Sequence, residues 1–211
     1  MVGSHACGVP PYPSAPGYSP TPTPASCVQE SRLSLYSLIC TNDLLFPENP
    51  SVPIITRELV LAVRARFELD WAGIHGVPHW ARGRVNGLAI ARQNGARTDV
   101  IELFSFLHDS CCENDDFDPE HGLRAVEFAH SLRGEVYDID DAGFALLGQA
   151  CSEHSDGHLK ADPTVQACWD ADRLDLWRVW ITPDKKRLAT QAARSMCIFD
   201  EAQRCSVFWR G

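Results

Sequence analysis

The chain has 211 residues, of which 45% are hydrophobic and 22% are charged, and its formal net charge is −9 at pH 7. This composition is typical of a globular protein with a substantial core, and the acidic balance argues against nucleic-acid binding through a basic surface. No apolar run approaches the ~18 residues that a membrane span needs, so we expect no membrane partner.

The N-terminal segment is rich in proline. Residues 1–27 hold seven of the fourteen prolines, in the setting PPYPSAPGYSPTPTP. We expect a disordered or extended tail, because such a segment buries too little apolar surface to offset the entropy of ordering. The alternative is that the tail binds a proline-reading protein partner. Residues 28–55 are interpreted as a connector, in which RLSLYSLIC is a candidate short element.

The cysteines and the start of the chain bear on the cellular compartment. The nine cysteines are an odd number and are scattered without the paired CxxC spacing of a zinc site. The first residues contain no apolar signal segment. We therefore expect reduced thiols in a cytoplasmic protein.

Residues 56–211 are predicted to form one helical domain, because helical periodicity and helix-end signals alternate along them. The first predicted helix begins at a capping Thr56. The second has Pro78 in its first turn and ends at Gly95. The third begins at a capping Thr98 and runs through the apolar stretch LFSFLHD.

The same signals predict four further helices. Asp118 caps the fourth, with Pro119 in its first turn, and DDAGFALLGQAC begins the fifth. Asp162 and Pro163 open the sixth, and the last is expected from Thr182 in TPDKKRLATQAARSM. Strand-like alternation is almost absent. The fold class is therefore predicted to be all-α, an irregular helical bundle rather than a simple four-helix bundle.

Histidines and aspartates recur at the predicted helix ends. His79 opens the second helix, His108 and Asp109 end the third, His121 lies in the first turn of the fourth, and His154 ends the fifth. If the helices pack around one axis, these side chains can converge, as metal ligands do in helical bundles. Imidazole and carboxylate together suit Mn, Fe, Co, Ni or Zn. The alternative is that each residue caps a helix or lies at the rim of the core.

Three segments in this order, HWARGRVNGLAIA, LFSFLHDS and CWDADRLDLWRV, resemble the HD-domain superfamily of metal-dependent phosphohydrolases over residues 70 to 195. The resemblance implies a helical bundle of the HD-domain type with at least one divalent metal ion. The implied metal ligands are His79, His108, Asp109 and Asp172. Asp170 is the alternative to Asp172 if the register of that helix is shifted.

Some members of this superfamily hold a second metal ion with two additional histidines. In this chain His121 and His154 lie in the corresponding interval, and His158 is a rival to His154. The interval is shorter than in the well-known two-metal branches, so one ion is expected and a second is left open.

The resemblance also implies a reaction, the hydrolysis of a phosphate ester such as a nucleotide by a metal-activated water. A divalent ion lowers the pKa of bound water toward ~7 and neutralises charge on the phosphoryl group. The cations that could bind the substrate phosphate are Arg82, Arg84, Arg124, Arg173, Lys160 and Arg178. For Arg173 a salt bridge with a neighbouring aspartate is an equal alternative.

Carboxylates near the predicted ligands are the candidate catalytic acids. They are Glu113 and Asp115, with Asp116, in the loop after the doublet, and Glu153 beside His154. The alternative for that loop is a solvated connector. His75, in GIHGVPH, is either a base in the site or a loop histidine.

These observations leave three functional hypotheses. The first is a metal-dependent phosphohydrolase, and the second is a di-iron oxygenase of the HD type that uses His121 and His154. The third is a non-catalytic helical module that binds a partner through its proline-rich tail. The ordered set of ligand types favours the phosphohydrolase.

Overall fold

The computed structural model of the chain describes residues 53 to 208. The predicted tail (residues 1–27) and nearly all of the predicted connector (residues 28–55) lie outside the described residues. Within residues 53 to 208 the structure is helical, and the strand-like pairing there is limited to an isolated bridge between Arg133 and Tyr137. The all-α prediction is confirmed for this part of the chain.

Eight α-helices and two 3-10 helices follow one another in the described part. The α-helices are α1 (Arg57–Arg66), α2 (Val77–Asn94), α3 (Thr98–Leu107), α4 (His121–Leu132), α5 (Asp141–Glu153), α6 (Pro163–Leu174), α7 (Gln191–Arg194) and α8 (Met196–Phe208). The 3-10 helices are Asp175–Val179, which directly continues α6, and Lys185–Arg187. None of these helices is long and apolar enough to cross a membrane.

Several predicted helix ends are confirmed. The hydroxyl of Thr56 accepts a hydrogen bond of 3.1 Å from the N–H of Leu59 at the start of α1. Asp162 caps α6 by accepting from the N–H two residues later, with Pro163 as the first helical residue. Gly95 ends α2 with φ of 73°, a left-handed conformation that glycine adopts without strain.

Two predicted helix starts are wrong in detail. Arg97, not Thr98, occupies the N-cap position of α3, and its side chain makes no capping hydrogen bond. The fourth helix begins at His121, three residues after the predicted cap Asp118. Asp118 instead accepts hydrogen bonds from the N–H of Glu113 and from the guanidinium of Arg124, so it stabilises the preceding loop.

The predicted last helix is also wrong in its position. Residues after Thr182 form only the short 3-10 helix Lys185–Arg187 before α7 begins at Gln191. Thr190 caps α7 by accepting from the N–H of Ala193 at 3.1 Å. The long C-terminal helix, α8, follows from Met196.

Helix α2 lies at the centre of the fold and packs against α6 and α3, while α8 covers α2 and the 3-10 helix that continues α6. Trp80 of α2 and Trp169 of α6 are fully buried in the core. The three central helices approach closely at Gly87, where an added Cβ would lie 2.5 Å from Ile101 and 3.3 Å from Ala171. This packing brings the N-terminal end of α2 and the C-terminal ends of α3 and α6 into one region.

Candidate metal centre

A first group of four side chains meets where α2 begins and α3 and α6 end. The Nε2 atom of His79 lies 3.1 Å from Nε2 of His108 and 3.3 Å from Oδ1 of Asp172. The Oδ2 atom of Asp109 lies 3.6 Å from Nε2 of His79 and 3.5 Å from Nε2 of His108. His79, His108 and Asp109 are buried. Ligand atoms of these three residues all lie within 4.8 Å of one another, close enough to bind one ion together. Asp172 joins them through its contact with His79.

A second group shares Asp109 with the first. Its Oδ1 atom lies 3.6 Å from Nε2 of His121 and 3.5 Å from Nε2 of His154. The two imidazole Nε2 atoms are 2.9 Å apart. Asp109 therefore directs one carboxylate oxygen to each group, the arrangement that a carboxylate bridging two metal ions requires.

All four histidines of the two groups use Nδ1 for a hydrogen bond with an oxygen outside the groups. His79 bonds to the carboxylate of Asp175 at 2.7 Å, and the other three bond to backbone carbonyl oxygens. The carbonyls belong to Phe104 for His108, Asp118 for His121 and Cys151 for His154. Because these oxygens only accept, Nδ1 carries the hydrogen and the Nε2 lone pair points into the cluster.

The donor geometry fits a metal pair. Within each group, two Nε2 atoms face each other at 3.1 Å or 2.9 Å. An imidazole that carries its single hydrogen on Nδ1 has a lone pair at Nε2. Two lone pairs at that distance repel unless a proton or a cation lies between them. Outer hydrogen bonds that fix Nδ1–H on a metal-binding histidine are the usual arrangement around protein-bound metal ions. A divalent cation in each group would satisfy both imidazoles and the shared carboxylate.

Burial and charge set the protonation of the cluster. Burial lowers the pKa of His108 to about 3, so this imidazole is neutral at pH 7. Burial also acts to lower the pKa of His79, but its carboxylate partners outweigh that effect and leave the pKa above the ordinary value. The pKa of the Asp109 carboxyl lies well below its usual range, because the surrounding imidazoles outweigh the opposing effect of burial. The cluster thus offers ionised carboxylates to a cation.

The end of α3 explains why His108 and Asp109 are adjacent. The helix buries an apolar face that includes Leu103, Phe104 and Leu107, and it ends immediately before His108. His108 stacks on Phe104 with ring centroids 4.5 Å apart, and the chain then turns. Both polar side chains are therefore held at the buried end of a core helix and face the same cluster.

A close approach of α4 to α5 places the second pair of histidines. An added Cβ at Gly122 would lie 2.4 Å from the carbonyl oxygen of Cys151, so α4 meets α5 there without a side chain between them. Gly122 follows His121 in the chain, and Cys151 is three residues before His154. The glycine thereby permits the close approach of the two helices that carry these imidazoles.

The structure brings together the six predicted metal ligands and leaves out both alternatives. Asp170 points away from the cluster and accepts hydrogen bonds from the N–H groups of Ala189 and Thr190, each at 2.7 Å. His158 is exposed and lies 3.7 Å from Asp156. Asp172, rather than Asp170, therefore contributes the carboxylate of α6.

Four of the six cations predicted to bind phosphate are engaged by other groups of the protein. Arg82 donates twice to Asp175, and Arg84 is paired with Glu102. Arg124 donates to the carbonyl of Cys111 and to Asp118. Arg173 donates to the carbonyl of Arg187 and lies 3.9 Å from Asp170, which is the salt-bridge alternative raised from the sequence.

The predicted catalytic acids do not lie among the buried groups of the cluster. Glu113 and Asp115 are in an exposed loop, and Glu113 lies 3.5 Å from Arg124. Glu153 accepts a hydrogen bond of 3.2 Å from Gln149 on its own helix.

At the cluster, His75 was left undecided by the sequence analysis, Asp175 was missed, and Arg178 was named only as one of six candidate cations. The Nδ1 atom of His75 lies 2.9 Å from Oδ2 of Asp109, so this loop histidine contacts the centre. Asp175 and Arg178 follow Asp172 at intervals of three residues, and both face the cluster. That spacing, which places residues on one side of a 3-10 or α-helix, was the available signal.

No protein-family model, no curated protein and no solved structure matches the chain. The geometry of the cluster and the order of its residues are therefore the basis for inferring a function.

Proposed function

We propose that this protein is a two-metal phosphohydrolase of the HD-domain superfamily that cleaves a phosphate ester. The observation that carries the proposal is that two pairs of histidines have facing Nε2 atoms and share the carboxylate of Asp109. The order His79, His108–Asp109, His121, His154 and Asp172 along the chain, which resembles that superfamily, supports the same conclusion.

Each residue has a defined task in the proposed site. His79, His108, Asp109 and Asp172 would hold the first ion, and Asp109, His121 and His154 would hold the second. Divalent ions in such a site lower the pKa of bound water and offset the negative charge of the phosphoryl group. The mixed nitrogen and oxygen donors suit Mn, Fe, Co, Ni or Zn.

The surroundings of the ligands keep them in place. Hydrogen bonds at each Nδ1 prevent the imidazole rings from turning, and Nδ1–H of His75 donates to Asp109 and holds its carboxylate. Phe104 stacks on His108 and excludes water from that side of the ligands. The metal ligands therefore require little reorganisation when a substrate binds.

Metal analysis combined with a phosphatase assay tests the proposal. The protein, purified without contact with an immobilised-metal resin, is expected to hold about two metal equivalents after reconstitution, because two-metal phosphatases work with a pair of ions. It is also expected to hydrolyse a p-nitrophenyl phosphate ester. His108→Ala and Asp109→Asn should lose metal and turnover together, while His158→Ala, an exposed histidine outside the cluster, should keep both.

Two outcomes would contradict the proposal. Metal retention with full turnover in both cluster variants would show that the activity arises elsewhere. Iron-dependent oxygen consumption without ester hydrolysis would favour the di-iron oxygenase instead.

A further inference from the structure

Arg178, in the 3-10 helix that continues α6, has a buried N–H group beside the metal cluster. Its side chain is 10% exposed, and Nη1 lies 3.9 Å from Oδ1 of Asp172. Nη1 is buried and has no hydrogen-bond partner. An unsatisfied buried donor costs free energy, and such groups in a native site are expected to meet a ligand or water.

The rest of the guanidinium is held so that Nη1 stays in this position. Nε donates a hydrogen bond of 2.8 Å to the carbonyl oxygen of Ile74, in the loop that carries His75. Nε also lies 4.0 Å from Asp175, whose oxygens already accept from His79, Arg82 and Ser206. The guanidinium of Arg178 is thus held through Nε, while its Nη1–H remains available as a donor.

The other cations considered for substrate binding are not arranged in this way. Arg82, Arg84 and Arg124 each donate to a carboxylate. Arg173 also has a buried donor without a partner, but this guanidinium lies beside Asp170, which faces away from the cluster. Lys160 is exposed in the loop before α6.

We propose that Arg178 binds a phosphoryl oxygen of the substrate at the metal centre, and that the site takes a terminal phosphate dianion. This inference depends on the proposed phosphohydrolase function. The positive charge of two divalent ions would exceed the negative charge of the ligand carboxylates Asp109 and Asp172. The metal-loaded site would therefore be positive even without Arg178. Guanidinium groups donate to phosphate oxygens with charge-assisted hydrogen bonds in a fixed geometry.

Binding of inorganic phosphate to the manganese-loaded full chain tests this role. Isothermal titration at constant ionic strength would compare the wild type with Arg178→Gln and Arg178→Lys, and metal content would be measured in each sample. Arg84→Gln serves as the matched control, because it also removes one positive charge, at an arginine of α2 that is paired with Glu102 of α3.

Arg178→Gln is expected to weaken phosphate binding by about 10- to 100-fold, the range for a charge-assisted hydrogen bond, at unchanged metal content. Arg178→Lys should fall between this variant and the wild type because it keeps the charge but loses the guanidinium geometry. Arg84→Gln should bind phosphate like the wild type.

Each contrary result has a separate meaning. Equal phosphate affinity in wild type and Arg178→Gln would overturn the role of Arg178 and leave the phosphohydrolase in place. Loss of metal from both Arg178 variants would also overturn it, since Arg178 would then only support the ligand Asp172. Failure of the metal-loaded wild type to bind phosphate would contradict the proposed function itself.

Discussion

His79 and Asp175 form a hydrogen bond of 2.7 Å between two completely buried side chains that are 96 residues apart in sequence. Asp175 also accepts from Ser206 of α8 at 2.6 Å and from Arg82 of α2. The carboxylate therefore joins α2, the extension of α6 and α8 directly behind a candidate metal ligand. Its bond to Nδ1 directs the Nε2 lone pair of His79 into the cluster.

Replacing Asp175 by Asn should weaken metal binding without removing a ligand. We expect metal affinity to fall by about 10- to 100-fold, the usual effect of losing an outer hydrogen-bond partner of a metal-binding histidine. Competition with a chromophoric chelator measures the change, and circular dichroism checks the fold. Asp184→Asn is the control, because Asp184 caps an exposed 3-10 helix away from the cluster. Equal affinity in both variants would argue against a positioning role for Asp175.

Substitution of Gly122 by Ala should affect the second metal group first. The new Cβ would lie 2.4 Å from the carbonyl oxygen of Cys151, so α4 must move away from α5 and His121 must move away from His154. We expect one metal equivalent to be lost while the group around His79 keeps its ion. Elemental analysis gives the stoichiometry.

Gly148→Ala is the matched control for this variant. Gly148 lies on α5 and also faces α4, but its added Cβ would make an ordinary contact of 3.8 Å with Val126. An alanine inside a helix stabilises it by about 1 kcal/mol relative to glycine, so this variant should keep both ions and be at least as stable as the wild type. If both glycine variants kept two metal equivalents, the close approach of α4 to α5 at Gly122 would not be required for metal binding by His121 and His154.

Substitutions of the two aspartates of α6, Asp170 and Asp172, should have different effects, one on stability and the other on metal binding. Asp170→Ala removes the acceptor for the N–H groups of Ala189 and Thr190, so we expect a loss of about 1–3 kcal/mol per unsatisfied buried group in the free energy of unfolding. Metal content per folded chain should stay the same. Asp172→Ala should lose metal with a smaller effect on stability of the metal-free protein.

Denaturant unfolding of the metal-free proteins, together with elemental analysis of the reconstituted ones, distinguishes the two aspartates. The reverse pattern, with metal lost from Asp170→Ala and retained by Asp172→Ala, would show that the register of α6 at the site differs from the structure.

Thiol reactivity should follow burial. Burial raises the pKa of the Cys151 and Cys168 thiols, so both remain protonated and unreactive up to pH 9. Cys197 is exposed and should be alkylated by iodoacetamide in the native protein. Peptide mass spectrometry before and after denaturation identifies the modified residues. Alkylation of Cys151 or Cys168 in the native protein at the rate seen for Cys197 would show that the core opens there.

Local signals in the sequence predicted much of the fold. A capping side chain or a glycine acts within a few residues, so Thr56, Gly95 and Asp162 marked helix ends without knowledge of the tertiary structure. Where a side chain expected to cap a helix bonds to other groups instead, the predicted helix start was wrong. Asp118, for example, pairs with Arg124 and with the loop before it instead of capping α4.

The sequence by itself determined the helical class of the described residues and the order of the histidines and aspartates that meet in the cluster. Only the tertiary structure decided which atoms face one another, because the ligands come from segments up to 93 residues apart and helix packing sets their distances. It also decided the roles of the arginines. Arg82 and Arg178 are the same residue type. Arg82, however, is neutralised by Asp175, while Arg178 has a buried N–H without a partner beside Asp172.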